Sequence, residues 1–187
     1  LNSLLQIPFR PLLPRDEEIT RFGPTNARRK VLANMDTLII DEVSMVRADI
    51  LDAVDFVMRT VRRKQKPFGG VQVMLIGDMH QLPPVVKDNE WAILKDYYAS
   101  PYFFDSMVWK ELNAAEIELK KIYRQSDQRF LRLLNNIRHQ QLDEDDYEEL
   151  KKRYNPGFKP TEPGYILLST HNSKVNSINE TELRKLD

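Results

Sequence analysis

The 187-residue sequence contains no cysteine, which excludes disulfide bonds, a disulfide-linked partner and thiolate metal clusters. Its 28 basic and 28 acidic residues give a formal net charge of zero, so any site for a polyanion must be a local patch. No apolar run approaches the roughly 20 residues that a membrane span needs, and no signal peptide is visible. These absences fit a reducing compartment and predict no membrane partner.

Glycine is also scarce, and none of the six glycines is followed by lysine. A P-loop, which wraps the phosphates of a nucleotide, needs the pattern G-x-x-x-x-G-K-[S/T]. The sequence therefore contains no P-loop. It opens on Leu1 without an initiator methionine and closes at Asp187 in a helical pattern, which predicts a segment of a longer protein. The glycines are Gly23, Gly69, Gly70, Gly77, Gly157 and Gly164.

Two short apolar runs predict neighbouring strands of a parallel sheet. Residues 37–40 end in Asp41 and Glu42, the pattern of a strand that is buried on both faces. A second buried strand is predicted over residues 71–76. Between them, a helix with Asp49 as its N-cap carries an apolar stripe at helical spacing. Strand, helix and strand in this order imply a parallel crossover and an α/β fold.

The rest of the sequence predicts loops, helices and two more strands. The proline-rich first 36 residues are expected to be mainly loop. The later strands are predicted from alternating apolar residues and from a short apolar run. Predicted strands lie at residues 115–119 and 165–169, and predicted helices at residues 27–33, within 91–109, at 127–138, at 143–154 and from 172 onwards.

Asp41 and Glu42 are the first candidates for chemistry, because ligand sites of parallel sheets lie beyond the carboxyl ends of the strands. An Asp at a strand end can hold Mg²⁺ on the phosphates of a nucleotide, and the adjacent Glu can orient or deprotonate the attacking water. Two carboxylates at a strand-to-loop boundary are also common without any such role. By themselves these two residues leave both interpretations open.

A second polar segment, residues 77–85, favours the nucleotide site. If the two strands are neighbours, Asp41, Glu42 and Gln81 converge on one edge of the sheet. The neutral amide of Gln81 can donate a hydrogen bond to a γ-phosphate or to the attacking water. Pro83 and Pro84 stiffen the chain after it, so a movement at the phosphate could be passed on.

These segments resemble motifs of superfamily 1B DNA helicases, in particular the Pif type and its RecD-like relatives. The resemblance is carried by DEVSM at residues 41–45 and by GDMHQLPPV at residues 77–85. YRQ at residues 123–125 resembles the fourth motif of the family. Weaker similarity extends to residues 1–9 and 168–172, so the resemblance covers most of the sequence.

The resemblance implies a RecA-like P-loop NTPase core with ATP and Mg²⁺ as cofactors. Residues 1–120 would be the remainder of the first motor domain. Residues 121–187 would be linker helices and the start of the second. The implied nucleotide-site residues are Asp41 for Mg²⁺, Glu42 as catalytic base, Gln81 as γ-phosphate sensor, Arg124 as arginine finger, and Gly77 and Asp78 beside the nucleotide.

The resemblance also implies single-stranded or forked DNA as a partner, with a monomer as the expected state. Asn2 stands where the family usually has His, which weakens the expected DNA contact there. Phe9 could stack on a base or equally anchor the loop in the core, and Asn172 could equally be a helix N-cap. The candidate DNA-binding residues are Asn2, Ser3, Pro8, Phe9, His80, His171 and Asn172.

The resemblance predicts an ATP-dependent DNA helicase that couples hydrolysis to translocation and unwinding. It implies a cytoplasmic, nucleoid-associated location, or a nuclear or mitochondrial one in a eukaryote. It further implies roles in DNA repair, recombination and telomere maintenance. Because the P-loop is missing, we expect the 187-residue chain by itself to hydrolyse no ATP appreciably.

Two alternatives stand beside the helicase. GDMH at residues 77–80 resembles the metal loop of metallophosphoesterases, but His139 and His171 do not sit in the further patterns such a site needs. The other is a non-enzymatic nucleic-acid-binding module derived from a helicase. The intact set of predicted catalytic residues argues against it.

Overall fold

A computed structural model of the protein describes residues 2–8, 10–14, 19, 25–158 and 165–185. The chain forms two compact units, Leu1–Lys121 and Ile122–Asp187. Among the described residues, the first unit holds a two-stranded sheet and several helices, and the second holds three helices. None of the helices in the described ranges is long and apolar enough to cross a membrane.

The sheet of the first unit consists of β1 (Thr37–Ile40) and β2 (Gln72–Leu75), which pair in parallel. Thr37 lies opposite Gln72, and Ile40 lies opposite Leu75. The connection between the strands contains a long helix, Ala48–Arg62. The predicted α/β fold with neighbouring parallel strands is therefore confirmed.

The prediction that β1 is buried on both faces is wrong for the part of the chain that the structure describes. Leu38 and Ile40 are buried in the core, whereas Ile39 is 58% exposed. The core residues of the long helix, among them Leu51 and Val54, join the same cluster as Leu38 and Ile40. Since the described elements cover one face of the strand only, the alternating side chains divide between core and surface.

In the described part of the chain two helices precede β1, and the first of them is short. α1 is Asn2–Leu5, and α2 is Asn26–Asn34, which confirms the predicted basic helix. α3 is the long helix Ala48–Arg62. Arg62 at its end donates to the carbonyl oxygens of Leu32, Ala33 and Met35, so this arginine holds the end of α2.

The prediction that Asp49 caps α3 is wrong, because the N-cap is Arg47 and Asp49 lies in the first turn. The Asp49 carboxylate instead accepts hydrogen bonds from the backbone N–H of Leu12 and from the Arg47 guanidinium. Donors outside the helix therefore take the oxygens that a capping residue would offer to its own helix.

The aromatic-rich stretch after β2 forms short helices, as predicted. α4 is Asp88–Leu94 and α5 is Met107–Glu111. The Asp52 carboxylate of α3 accepts from the N–H groups of Met107 and Val108, at 3.0 and 2.8 Å, and so stabilises the start of α5. Short 3₁₀ turns also occur at Val43–Met45, Pro67–Gly70 and Phe103–Asp105.

The three helices of the second unit confirm the predicted ones. α6 is Gln128–Arg138, capped by Asp127, and α7 is Glu144–Lys151, capped by Asp143. α8 is Asn172–Leu183, and its N-cap is His171. Asn172 is thus the first helical residue, and its interpretation as an N-cap is wrong.

The strands predicted at residues 115–119 and 165–169 are absent from the described structure. Ile117 and Leu119 are 83% and 88% exposed, and Ile166 and Leu168 are also exposed. A strand needs a neighbour for its backbone N–H and C=O groups. No described residue pairs with either segment, so the apolar alternation alone does not produce a strand.

Candidate functional site

The loops that follow β1 and β2 leave the same edge of the sheet. The N–H of Ile76 donates to the carbonyl oxygen of Ile40 at 2.9 Å, and the N–H of Val43 donates to the carbonyl oxygen of Ile76 at 2.9 Å. The backbone after β2 therefore lies between Ile40 and Val43. Asp41 and Glu42 stand between these two bonds, at the edge where residues 77–84 begin.

Gly77 lies where the two loops approach each other closely. A Cβ added at this position would lie 2.9 Å from Cγ1 of Val43, 3.0 Å from the nitrogen of Val43 and 3.1 Å from the nitrogen of Ser44. Real Cβ atoms do not pack at the shortest of these distances without a shift. The absence of a side chain at Gly77 is thus what lets the 77–84 loop rest on the 41–45 turn.

We expect Gly77→Ala to destabilise the first unit by about 1–3 kcal/mol, the usual cost of overpacking. Both tryptophans, Trp91 and Trp109, lie in this unit. Urea unfolding of the 187-residue chain followed by tryptophan fluorescence measures the change. Val43→Ala removes Cγ1, so the double variant should lose less stability than the sum of the single variants. A Gly77→Ala chain with an unchanged free energy of unfolding would contradict the contact.

Asp41 and Glu42 are both exposed at this edge. The Oδ1 atom of Asp41 accepts the N–H of Glu42 at 2.9 Å. Glu42 has φ 52° and ψ 43°, a left-handed conformation that is costly for a residue with a side chain. The buried residues Val43 and Ser44 follow in the 3₁₀ turn, whose first bond runs from the N–H of Met45 to the carbonyl oxygen of Glu42. The fold thus holds Glu42 in a strained backbone turn at the sheet edge.

The 77–84 loop is ordered by Asp78. Its Oδ1 atom accepts the N–H of His80 at 3.0 Å, and its carbonyl oxygen accepts the N–H of Gln81 at 3.0 Å. Its Oδ2 atom accepts the Gln81 side-chain amide at 3.3 Å. Asp78 therefore orients the exposed amide of Gln81, a role that the sequence pattern did not indicate. Pro84, further along the loop, is buried.

The donor atoms of this edge suit a hard cation that arrives with a nucleotide. No group of three or more His, Asp and Glu side chains in the described ranges could hold a metal ion. Mg²⁺ in nucleotide sites is usually held by one or two carboxylates, with phosphate and water oxygens completing the octahedron. Asp41 uses Oδ1 for the N–H of Glu42 and keeps Oδ2, so a single-carboxylate Mg²⁺ site fits the residues present.

Arg124 lies in the second unit, in the exposed segment before α6. The Oε1 atom of the next residue, Gln125, accepts the N–H groups of Ser126 and Asp127 at 2.8 and 3.0 Å. Asp127 in turn caps α6 through the N–H groups at the start of the helix. Consecutive side-chain bonds thus fix the backbone that follows Arg124.

The candidate DNA-binding residues are spread over both units. In the first unit, Pro8 is half-buried and His80 is exposed. Phe9 and the side chains of Asn2 and Ser3 lie outside the described residues. In the second unit, the His171 ring nitrogen Nδ1 lies 2.9 Å from the Thr170 hydroxyl, and Asn172 opens α8.

Sequence reasoning missed the cluster of Arg47, Asp49 and Glu90. Arg47 forms ion pairs with both acids, at 2.5 Å to Asp49 and 3.3 Å to Glu90. The bond to Asp49 raises the pKa of Arg47, so the guanidinium stays charged. Glu90 lies 43 residues after Arg47, and no local pattern links two residues at such a separation.

Comparison with known proteins gives a consistent result. The family model of PIF1-like helicases matches residues 2–148. The human ATP-dependent DNA helicase PIF1 is 36% identical over 156 residues, which cover 82% of this chain and 23% of the human protein. The Pif1 helicase from Bacteroides, solved in complex with ADP-AlF3 and single-stranded DNA, has a TM-score of 0.88 and 39% identity. That match covers 100% of this chain and 43% of the Bacteroides chain.

A further solved structure concerns the unwinding of forked double-stranded DNA by two coordinating Pif1 helicases. Its Pif1 chain is 41% identical to this chain, with a TM-score of 0.86. The match covers 97% of this chain and 43% of the Pif1 chain. The chain therefore spans less than half the length of each of these relatives. The agreement in fold confirms the predicted RecA-like α/β core.

Proposed function

The chain belongs to the PIF1-like helicase family, and we propose that it supplies the Mg²⁺-binding, water-activating and γ-phosphate-sensing residues of an ATP-driven DNA helicase. In this proposal a P-loop that the 187 residues do not contain grips the phosphates. The motor moves along single-stranded DNA and opens forked DNA. The relatives solved with a nucleotide analogue and single-stranded DNA, and at forked DNA, support these partners.

One observation carries the proposal: the 41–45 turn and the 77–84 loop leave one sheet edge and are bonded to each other. The bonds from Ile76 to Ile40 and from Val43 to Ile76 fix the two loops. Since Gly77 adds no side chain between them, the two loops lie in direct contact. This is the arrangement that hydrolysis and sensing at one phosphate would need.

The roles follow from the chemistry of each group. Glu42 takes the proton of the attacking water, and the turn places its exposed side chain at the sheet edge. Gln81, oriented by Asp78, donates its amide to the γ-phosphate or to the water. Arg124 neutralises charge on the transferring phosphoryl group. Asp41 would hold Mg²⁺, and the bound ion would neutralise negative charge on the phosphates of the nucleotide.

The proposal extends to nucleic-acid contacts and to cellular roles. Pro8 and His80 of the first unit, and His171 and Asn172 of the second, are the described candidates for contact with the DNA strand. Roles in DNA repair, recombination and telomere maintenance would follow from unwinding. They rest on the family relationship alone.

The test is ATP hydrolysis by a protein in which these 187 residues are joined to a P-loop. We expect Mg²⁺-dependent turnover that rises when single-stranded DNA is added, whereas the 187-residue chain alone should show no appreciable turnover. DNA binding without ATP hydrolysis in the joined protein would instead favour the non-enzymatic module. Robust hydrolysis by the 187-residue chain alone would contradict the proposed division of the site.

A further inference from the structure

The Arg47 cluster, defined as Arg47, Asp49 and Glu90, is a nearly buried ionic contact that follows the 41–45 turn in the chain. The side chains of Arg47 and Asp49 are 13% and 1% exposed. Arg47 donates from Nε to Oδ1 of Asp49 at 2.9 Å and from Nη2 to Oδ2 at 2.5 Å. Its Nη1 atom donates to Oε2 of Glu90 at 3.3 Å. One guanidinium thus holds two carboxylates at once.

The cluster also holds the backbone of the N-terminal segment. The Oδ2 atom of Asp49 accepts the N–H of Leu12 at 3.0 Å, and Nη2 of Arg47 donates to the carbonyl oxygen of Arg10 at 3.4 Å. Leu12 is buried in the core of the first unit. Residues 10–12 are therefore fixed by the same two side chains that open α3.

On its other side the cluster holds the start of α4. Oε2 of Glu90 accepts the N–H of Lys87 at 3.2 Å, and the same oxygen binds Arg47. Lys87 is three residues beyond Pro84, the end of the 77–84 loop. Pro83 and Pro84 restrict the backbone at the end of the loop, and only Val85 and Val86 separate Pro84 from Lys87.

We propose that Arg47 is a positioning residue that couples the 77–84 loop to residues 10–12, and thereby couples the nucleotide site to the N-terminal segment. The proposal rests on the proposed function for its consequence in catalysis. The mechanical link from Glu90 through Arg47 to Leu12 does not depend on that function. Removing one partner of such a buried ion pair leaves an uncompensated charge, so the arrangement of the cluster depends on each of its three residues.

The chain offers a matched control on the same helix. Arg59 binds Asp55 at 2.7 Å, Glu111 at 2.7 Å and the carbonyl oxygen of Gln65. It therefore has the same kinds of partners as Arg47: an Asp nearby on the chain, a distant Glu and a backbone carbonyl. None of its partners lies in residues 10–12 or 77–90. Glu90→Gln and Glu111→Gln are accordingly the matched variants. Arg47→Gln and Arg59→Gln form a second matched pair with a larger expected effect, because each removes a guanidinium and all of its bonds.

The first measurement is amide hydrogen exchange in the 187-residue chain, which requires no nucleotide. We expect Glu90→Gln to accelerate exchange of the Leu12 amide by about fivefold or more, the lower range of site-to-site coupling. Glu111→Gln should leave it within twofold, a margin that lies below that range. Equal Leu12 exchange in both variants would overturn the proposal, even if Arg47→Gln proved too unstable to study.

The second measurement is the ratio of DNA-stimulated to DNA-free ATP turnover in the protein joined to a P-loop. We expect Glu90→Gln and Arg47→Gln to lower this ratio by about fivefold or more, with the ratio kept in Arg59→Gln and Glu111→Gln. A ratio lowered equally by the control variants would show a general loss of stability and overturn the coupling role. If the unaltered protein hydrolyses no ATP, the proposed function fails, while the exchange measurement still decides the link.

Discussion

Glu42→Gln is expected to lower the kcat of ATP hydrolysis by about 10²–10⁴-fold, the usual contribution of a general base. The amide has the size of the carboxylate but does not accept a proton at neutral pH. Glu42 lies exposed at the sheet edge in a left-handed turn whose backbone bonds do not involve its side chain. The substitution therefore removes basicity and leaves the 41–45 turn in place.

Nucleotide binding separates a loss of chemistry from a loss of the site. In the protein joined to a P-loop, we expect the Kd of a fluorescent ATP analogue to change by less than about threefold for Glu42→Gln, below 1 kcal/mol. Glu116→Gln, an exposed glutamate of the same unit, serves as control and should keep full turnover. Unchanged turnover in Glu42→Gln would contradict the role assigned to Glu42.

Local sequence signals predicted the elements whose structure depends on local contacts. β1, β2, α3, α6 and α7 were predicted from local patterns such as apolar runs and helical spacing, and the structure contains them. The strands predicted at residues 115–119 and 165–169 fail because a strand depends on a neighbour elsewhere in the chain. The alternation of Ile117 and Leu119 indicates what such a strand would bury and says nothing of its partner.

The candidate site divides in the same way. The carboxylates at the end of β1 and the amide of Gln81 could be found from residue type and position. The strained backbone of Glu42 and the close approach at Gly77 could not, because both arise from the packing of one loop on the other. Asp49 is an example. A capping pattern predicted that its side chain would bond to the backbone of its own helix, whereas it binds Leu12 and Arg47.

Arg124→Ala is expected to have the largest effect, a loss of about 10³–10⁵ in kcat, the range attributed to arginine fingers. Arg124 is exposed, and the bonds from Gln125 to the next two residues fix its backbone. Arg124 makes no ion pair with a described residue, so among these residues its removal leaves no charge without its partner. Stability should therefore change by less than about 0.5 kcal/mol, as for other surface substitutions.

Arg124→Lys tests whether geometry or charge alone matters. Lysine keeps the positive charge but loses the planar fork that binds two phosphoryl oxygens together. We expect most of the loss seen for alanine to remain, with the DNA-free and DNA-stimulated rates lowered alike. Arg129→Lys is the control, because Arg129 is a surface residue of α6 paired with Glu149 and should keep full turnover. If Arg124→Lys and Arg124→Ala both hydrolyse ATP at the unaltered rate, the charge on the transferring phosphoryl group must be stabilised by another residue.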